Sequence, residues 1–149
     1  MSRKITPFVA DYLPALMAQA SALVSSEFHN IARSQRVSVG EWRVLATLSG
    51  NVPLSVGDIA RITLTKQPTV TRIIDRMQTR GYLERAQSTN DRRQTLVQLT
   101  ATGQALAESL IVHAQDHERR VLKPFGMSRA RELKNILRKL IELHQAATD

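Results

Sequence analysis

The stretch from Ser55 to Gly81 allows two short helices joined by a tight turn, and this constrains the fold more than any other feature of the chain. Ser55 and the acid three residues later have the form of a capping box, which begins a helix through Ile62. Thr65 is the predicted cap of a second helix, whose buried stripe is Val70, Ile73, Ile74 and Met77. Gly81 ends that helix at the residue after its cap. Two short helices in tandem predict a helix-turn-helix.

A hairpin is predicted directly after these two helices. A strand begins within residues 82–85, and the β-branched and apolar residues 95–99 indicate a returning strand. The polar residues 88–93 between them form the tip. The hairpin is the wing of a winged helix-turn-helix that spans about Ser55 to Thr100.

Helices are also predicted on the N-terminal side of this module. Apolar residues recur at spacings of three and four between Asp11 and Ser34, which is the period of an amphipathic helix. Asp11 is the predicted cap, and residues 1–10 are predicted to form an extended arm. Ser38 and Glu41 form a second capping box, which begins the next helix.

Two further helices are predicted on the C-terminal side. Thr100 caps a long helix that ends before Pro124, and Ser128 caps a last helix that runs to about Ala147. The first and last helices carry more apolar surface than the central module needs to cover itself, which indicates a helical dimer interface. The apolar stripe of the last helix consists of Leu133, Ile136, Leu137, Leu140, Ile141 and His144.

Charge favours an anionic partner. The 149 residues carry 21 Lys and Arg against 13 Asp and Glu, a formal net charge of +8. Residues 55–100 hold eight of the basic and four of the acidic residues, so the basic excess is greatest in the winged module. The chain contains no cysteine, which excludes disulfides, a thiolate nucleophile and a thiol redox sensor. With no signal peptide or membrane span predicted, we expect a cytoplasmic protein.

Four motifs in order carry a family likeness: residues 69–77 of the second short helix, residues 80–83, the Asp-Arg-Arg of residues 91–93 and the Leu-Thr-Ala-Thr-Gly of residues 99–103. In that order and spacing the chain closely resembles the MarR family of bacterial regulators. The resemblance implies a homodimer joined through its first, fifth and sixth helices. It also implies two winged modules on a roughly palindromic operator, with repression as the commoner mode and effector binding as the switch.

The fold expected is mainly α-helical with a small β-hairpin wing, as a winged helix-turn-helix plus a helical dimerisation region in one structural domain. Residues 1–37 are the predicted arm and first dimerisation helix. Residues 38–100 are the predicted DNA-binding module, and residues 101–149 the C-terminal dimerisation helices.

The second short helix is the predicted recognition helix, because its N-terminal side chains would reach base edges in the major groove. Gln pairs with adenine and Arg with guanine, so Gln67 and Arg72 are the candidates for base readout. Pro68 stands where many family members carry Ser, so a hydroxyl contact to DNA is not available at this position. Lys66 or Gln67 is expected to make a larger share of the DNA contacts instead. An ordinary solvated helix face is the alternative explanation of this polar set. The predicted DNA contacts of this helix are Lys66, Gln67, Thr69, Thr71, Arg72 and Arg76.

Two arginines at the wing tip are the candidates for the minor groove, where the negative potential attracts a guanidinium. Arg93 is the first choice and Arg92 the second. Asp91 would repel phosphate, so we expect it to hold the Arg93 guanidinium in position. A solvated charged turn is the alternative.

The resemblance implies a small effector, often aromatic or anionic, bound between the dimerisation helices and the winged module. Phe28, His29, Trp42 and Arg43 are weak candidates for such a pocket, since Phe28 and Trp42 also suit an ordinary core.

His113 and His117 are further weak effector candidates and also suggest a metal-sensing regulator, because two imidazoles one helical turn apart can share a metal. Glu27, His29 and Glu41 would complete the ligand set. An enzyme built on the same histidine pair is disfavoured, because the chain has no phosphate loop, zinc-protease motif or nucleophile motif. A dimer that binds only protein is a further alternative. No cofactor or resident metal is expected.

Overall fold

The computed structural model describes residues 7–147, and its backbone is mainly helical with one small antiparallel sheet. These residues form two compact units, one ending at His113 and the other beginning at Ala114. The helices are α1 (Leu13–Ser34), α2 (Val39–Leu48), α3 (Val56–Thr63), α4 (Gln67–Thr79), α5 (Ala101–Leu122) and α6 (Met127–Gln145). The strands are β1 (Leu54–Ser55), β2 (Leu83–Gln87) and β3 (Thr95–Leu99). The predicted fold class is confirmed.

The chain enters α1 differently from the prediction. Phe8–Ala10 form a turn of 3-10 helix, so the predicted extended arm is wrong for those residues, while residues 1–6 lie outside the described part of the chain. The N-cap is Tyr12 instead of Asp11, and no side chain caps the helix. Pro14 in the first turn has no N–H, which leaves one donor fewer to be capped.

Ser38 caps α2 as predicted. The Ser38 hydroxyl accepts from the Glu41 N–H at 3.2 Å, and the Ser38 N–H donates to Glu41 Oε2 at 2.9 Å. Ser55 caps α3 by accepting from the Asp58 N–H at 3.1 Å, but its hydroxyl donates to the Asp58 carboxylate at 2.8 Å. The Ser55 hydrogen bond, and then that of Arg61, lowers the pKa of Asp58 below its usual 3.8.

In the turn between α3 and α4, the N-cap of α4 is not the residue that the sequence predicts. Leu64 ends α3 in the left-handed region with φ 52°, and Lys66 is the N-cap of α4. The predicted Thr65 cap is wrong, because the Thr65 hydroxyl donates back to the Thr63 carbonyl at 3.1 Å. Pro68 lies in the first turn, where its missing N–H costs no helical hydrogen bond.

Of the two predicted caps of the C-terminal helices, one is confirmed and one is wrong. Thr100 caps α5 by accepting from the Gly103 N–H at 3.0 Å, as predicted. A 3-10 turn over Lys123–Phe125 follows α5, and Gly126, with φ 81°, is the N-cap of α6. The predicted Ser128 cap is wrong, because the left-handed glycine redirects the chain two residues earlier.

The sheet has the order β1-β3-β2, and its hairpin confirms the predicted wing. Leu83 pairs with Leu99 and Gln87 with Thr95. The pairing of β1 with β3 was not predicted, because two residues are too short to show alternation. The core of the first unit includes the buried side chains Val44, Leu45, Leu48, Ile59, Val70, Ile74, Met77, Leu83 and Val97.

The start of α5 lies directly against the turn that follows α4. The Thr100 N–H donates to the Tyr82 carbonyl at 3.1 Å, and its hydroxyl donates to the Gly81 carbonyl at 2.6 Å. A Cβ at Gly103 would lie 2.0 Å from the Tyr82 oxygen, so no larger residue fits there. Gly81, with φ 79°, follows the α4 cap as predicted.

Two helices carry exposed apolar side chains. In α1 these include Leu13, Leu16, Met17, Leu23 and Val24. In α6, which has no buried residue, they are Met127, Leu133, Ile136, Ile141 and Leu143. The predicted surplus of apolar surface on these helices is therefore present.

Candidate nucleic-acid interface

Helix α4 separates an apolar face from a cationic one. Val70, Ile73, Ile74 and Met77 are buried, as the sequence predicts. The predicted contact residues on the rest of the helix are solvent-exposed, with one exception: Thr71 is half-buried and its hydroxyl donates to the Gln67 carbonyl at 3.0 Å. The exposed members are Lys66, Gln67, Thr69, Arg72 and Arg76.

Ion pairs neutralise the acidic side chains around α4. Arg85 on β2 donates to Asp75 at 2.7 Å and to the Gln78 side chain at 2.8 Å. In the described part of the chain, Arg72 and Arg76 have no such carboxylate partner. The exposed face of α4 is therefore cationic even though an acid lies in the helix.

The wing tip is ordered by hydrogen bonds to its own backbone. Asp91 Oδ1 accepts from the Arg93 N–H at 2.9 Å, and the Ser88 hydroxyl accepts from the Asp91 N–H at 3.3 Å. Asp91 therefore contacts the backbone of Arg93, whereas the prediction had it holding the guanidinium. A short side chain two residues before an amide closes this local turn more easily than it reaches a guanidinium. Arg92 and Arg93 are both exposed.

Arg80, at the end of α4, makes a set of contacts that the sequence did not reveal. Its Nη1 lies 3.2 Å from both carboxylate oxygens of Glu41, and its Nη2 donates to the Arg36 carbonyl at 3.0 Å. The guanidinium also lies 5.0 Å from the centre of the Tyr82 ring. Arg80 thus joins the end of α4 to the start of α2.

The effector candidates divide between core and surface. Phe28 is buried, with its ring centre 4.8 Å from that of Trp42, as core packing would require. Partial burial, and then the charges of Arg43 and Arg33, hold the pKa of His29 below its usual 6.5. Trp42 and Arg43 line a cavity of about 340 Å³ together with Ala46, Thr47, Ile62, Thr63 and Leu64.

The residues suggested for metal sensing have different surroundings. His113 is exposed and His117 is buried. Glu41 is engaged by Arg80 and Ser38. Across residues 7–147, no group of three or more His, Cys, Asp or Glu side chains could hold a metal ion. Within the same range, no helix has the length and apolar content needed to cross a membrane.

Comparison with known proteins identifies relatives over most of the chain. The MarR family model matches residues 36–94, which include α2, α3, α4 and β2. A MarR family transcriptional regulator from Silicibacter pomeroyi DSS-3 is 40% identical, with a TM-score of 0.82 over 93% of this chain and 98% of that one. The homoprotocatechuate degradative operon repressor of Escherichia coli is 26% identical over 89% of this chain and 90% of its own.

The fold is also that of a more distant protein, NadR, whose structure was solved in complex with 4-hydroxyphenylacetate. That structure is 23% identical, with a TM-score of 0.80 over 94% of this chain and 96% of its own. The Silicibacter pomeroyi and Escherichia coli relatives are transcriptional regulators and not enzymes, as the sequence predicts. The winged helix-turn-helix, its cationic recognition helix and the 40% identical regulator together show that this chain belongs to the MarR family of DNA-binding transcriptional regulators.

Proposed function

We propose that the chain is a repressor that binds a palindromic operator as a homodimer and releases it when a small molecule binds. The observation that carries this proposal is the exposed cationic face of α4, whose neighbouring acids are held in ion pairs. A protein surface with such a charge excess attracts the phosphate backbone.

Base readout is assigned to Gln67 and Arg72. Both are exposed, and Gln67 is the first residue of α4, the end that a recognition helix presents to the major groove. Each bidentate contact discriminates against a wrong base by ~1–3 kcal/mol. Gln67→Ala should therefore relax the preference at one base pair per half-site, and a uniform loss across all operator variants would contradict base readout.

The wing is assigned to the minor groove through Arg93, with Arg92 second. The Asp91 turn fixes the backbone from which Arg93 projects. Arg93→Ala should weaken operator binding and reduce its salt dependence, because fewer counterions are released. Arg129→Ala, which removes an exposed arginine from α6, is the control. An unchanged salt slope for Arg93→Ala would remove this residue from the interface.

A homodimer would cover the exposed apolar side chains of α1 and of α6. Each of these helices exposes several large apolar side chains, and a two-fold dimer is the commonest way to bury such surface. Two recognition helices in such a dimer would read half-sites about one helical turn, or ~34 Å, apart.

The cavity beside Trp42 and Arg43 supports an effector site. Its volume of about 340 Å³ suits a small molecule, with an indole ring for apolar contact and a guanidinium for an anionic group. NadR was solved with an aromatic carboxylate. We therefore propose that the effector is a small aromatic anion.

Selection of bound DNA from a random pool tests the proposal as a whole. We expect a palindrome with half-sites about ten base pairs apart, from centre to centre. Titration of the selected DNA with aromatic carboxylates then tests release. Failure to enrich any motif would contradict the proposed function, whereas enrichment without release would contradict only the effector.

A further inference from the structure

A second cationic surface lies beside the recognition helix. A groove of about 520 Å³ is formed where the turn between α1 and α2 meets the C-terminal half of α4. We name it the turn groove, and its lining residues are Arg36, Ser38, Glu41, Arg76, Thr79 and Arg80. A neighbouring depression of about 500 Å³ shares Arg36 and Ser38 and adds Arg33.

The turn groove has a net positive charge. Glu41 is the one acidic residue in its lining, and Arg80 pairs with both oxygens of that carboxylate. Arg33, Arg36 and Arg76 are exposed, and no carboxylate among residues 7–147 forms an ion pair with them. Three arginines thus face solvent without local compensation.

The position of the groove continues the predicted DNA surface. Arg76 follows Arg72 by four residues, so both lie on the same side of α4, one turn apart. The backbone of Arg36 is held by the hydrogen bond from Arg80, and it has a left-handed φ of 59°. The groove therefore sits at a fixed place next to the helix that reads bases.

The lining distinguishes the groove from the effector cavity. Its residues are arginines, hydroxyl residues and a neutralised glutamate, with no aromatic or aliphatic side chain among them. Trp42, Ile62 and Leu64 line the other cavity. A groove with arginines that no carboxylate compensates suits a phosphodiester better than an aromatic ligand.

We infer that the turn groove and the depression beside it bind the DNA phosphate backbone next to α4, through Arg36 and Arg33 in addition to Arg76. This inference rests on the proposed function, since it adds contacts to the same complex. Arg36 and Arg33 position the protein without reading sequence, because phosphate contacts carry no base information.

The salt dependence of binding measures the added contacts. Each phosphate contact contributes about 0.9 to the slope of log affinity against log salt, and a dimer makes each contact twice. Arg36→Gln should therefore reduce the slope by about 2 and weaken the selected operator and an unrelated duplex by similar factors. Arg33→Gln is the second variant, in case Arg36→Gln fails to fold. Arg129→Gln, with the same charge change on α6, should leave the slope at the wild-type value.

Several results would overturn the inference. One is a slope for Arg36→Gln and Arg33→Gln that equals that of Arg129→Gln. Another is a changed base preference in a repeated selection, because that would mean base readout. A third is wild-type DNA binding in Arg36→Gln together with lost thermal stabilisation by inorganic phosphate, because the site would then serve free phosphate. If the wild-type chain selects no DNA, both the proposed function and this inference are contradicted. The three results above, obtained with a wild-type chain that does bind DNA, contradict the inference alone.

Discussion

Arg80→Gln is expected to destabilise the protein by removing the contacts between the end of α4 and the start of α2. The Glu41 side chain is 8% exposed and the Arg80 side chain 34%. Removing a charged partner from a buried carboxylate costs ~1.5–3 kcal/mol, and Glu41 keeps one hydrogen bond, from the Ser38 N–H. We therefore expect a loss of about 2 kcal/mol, which lowers the Tm by about 4–8 °C for a chain of this size.

A double-mutant cycle with Glu41→Gln tests the reasoning by urea and thermal unfolding. The double variant should lose less than the sum of the single losses, by a coupling energy of ~0.5–3 kcal/mol. Arg85→Gln is the matched control, because its partner Asp75 is 57% exposed and a surface pair contributes only ~0–1 kcal/mol. Additive losses in the cycle, or equal losses for Arg80→Gln and Arg85→Gln, would refute the argument.

Three further changes test the fold. Gly103→Ala should lose ~1–3 kcal/mol by thermal unfolding, because the new Cβ would meet the backbone oxygen of Tyr82, whereas Gly50→Ala, with open space around it, should change little. The pKa of His29 in the folded chain lies below 6.5, so as the pH falls below about 6.5 the unfolded chain binds more protons than the folded chain and the free energy of unfolding decreases. His29→Gln should make this decrease smaller in urea unfolding at acidic pH. Near pH 8, where the imidazole is neutral in both states, this titration contributes no pH dependence. Ser38→Ala should cost ~1 kcal/mol in urea unfolding, since it removes the α2 cap, and an unchanged midpoint would contradict that role.

Local signals explain which parts of the fold were predictable. Ser38 and Thr100 cap their helices because each needs only a partner three residues away. The predicted caps Asp11, Thr65 and Ser128 failed because a 3-10 turn, a left-handed leucine and a left-handed glycine redirect the backbone at each place. Capping patterns do not show where the backbone takes such a turn, so they misplace the start of the helix by one or two residues.

In the candidate site too, some features follow from local sequence and others do not. The exposed face of α4 follows from helical spacing alone, which places the arginines opposite the buried stripe. The Arg80–Glu41 pair joins residues 39 positions apart, and no local pattern brings them together. The turn groove depends on that pair, so it could not be predicted from the sequence.

The contact of Thr100 and Gly103 with residues 81–82 couples the first turn of α5 to the C-terminal end of α4, so that a rotation of α5 would tilt α4. Thr100 makes two hydrogen bonds to the carbonyls of residues 81 and 82, and Gly103 packs against Tyr82 with no room for a methyl group. The two elements are therefore closely packed at this point. Helix α4 has 13 residues and is therefore about 20 Å long. A tilt of about 5° carried through this joint would move its far end by almost 2 Å, more than a hydrogen bond to a base tolerates. A small angular change in α5 would therefore displace Gln67, the residue that we propose to read a base.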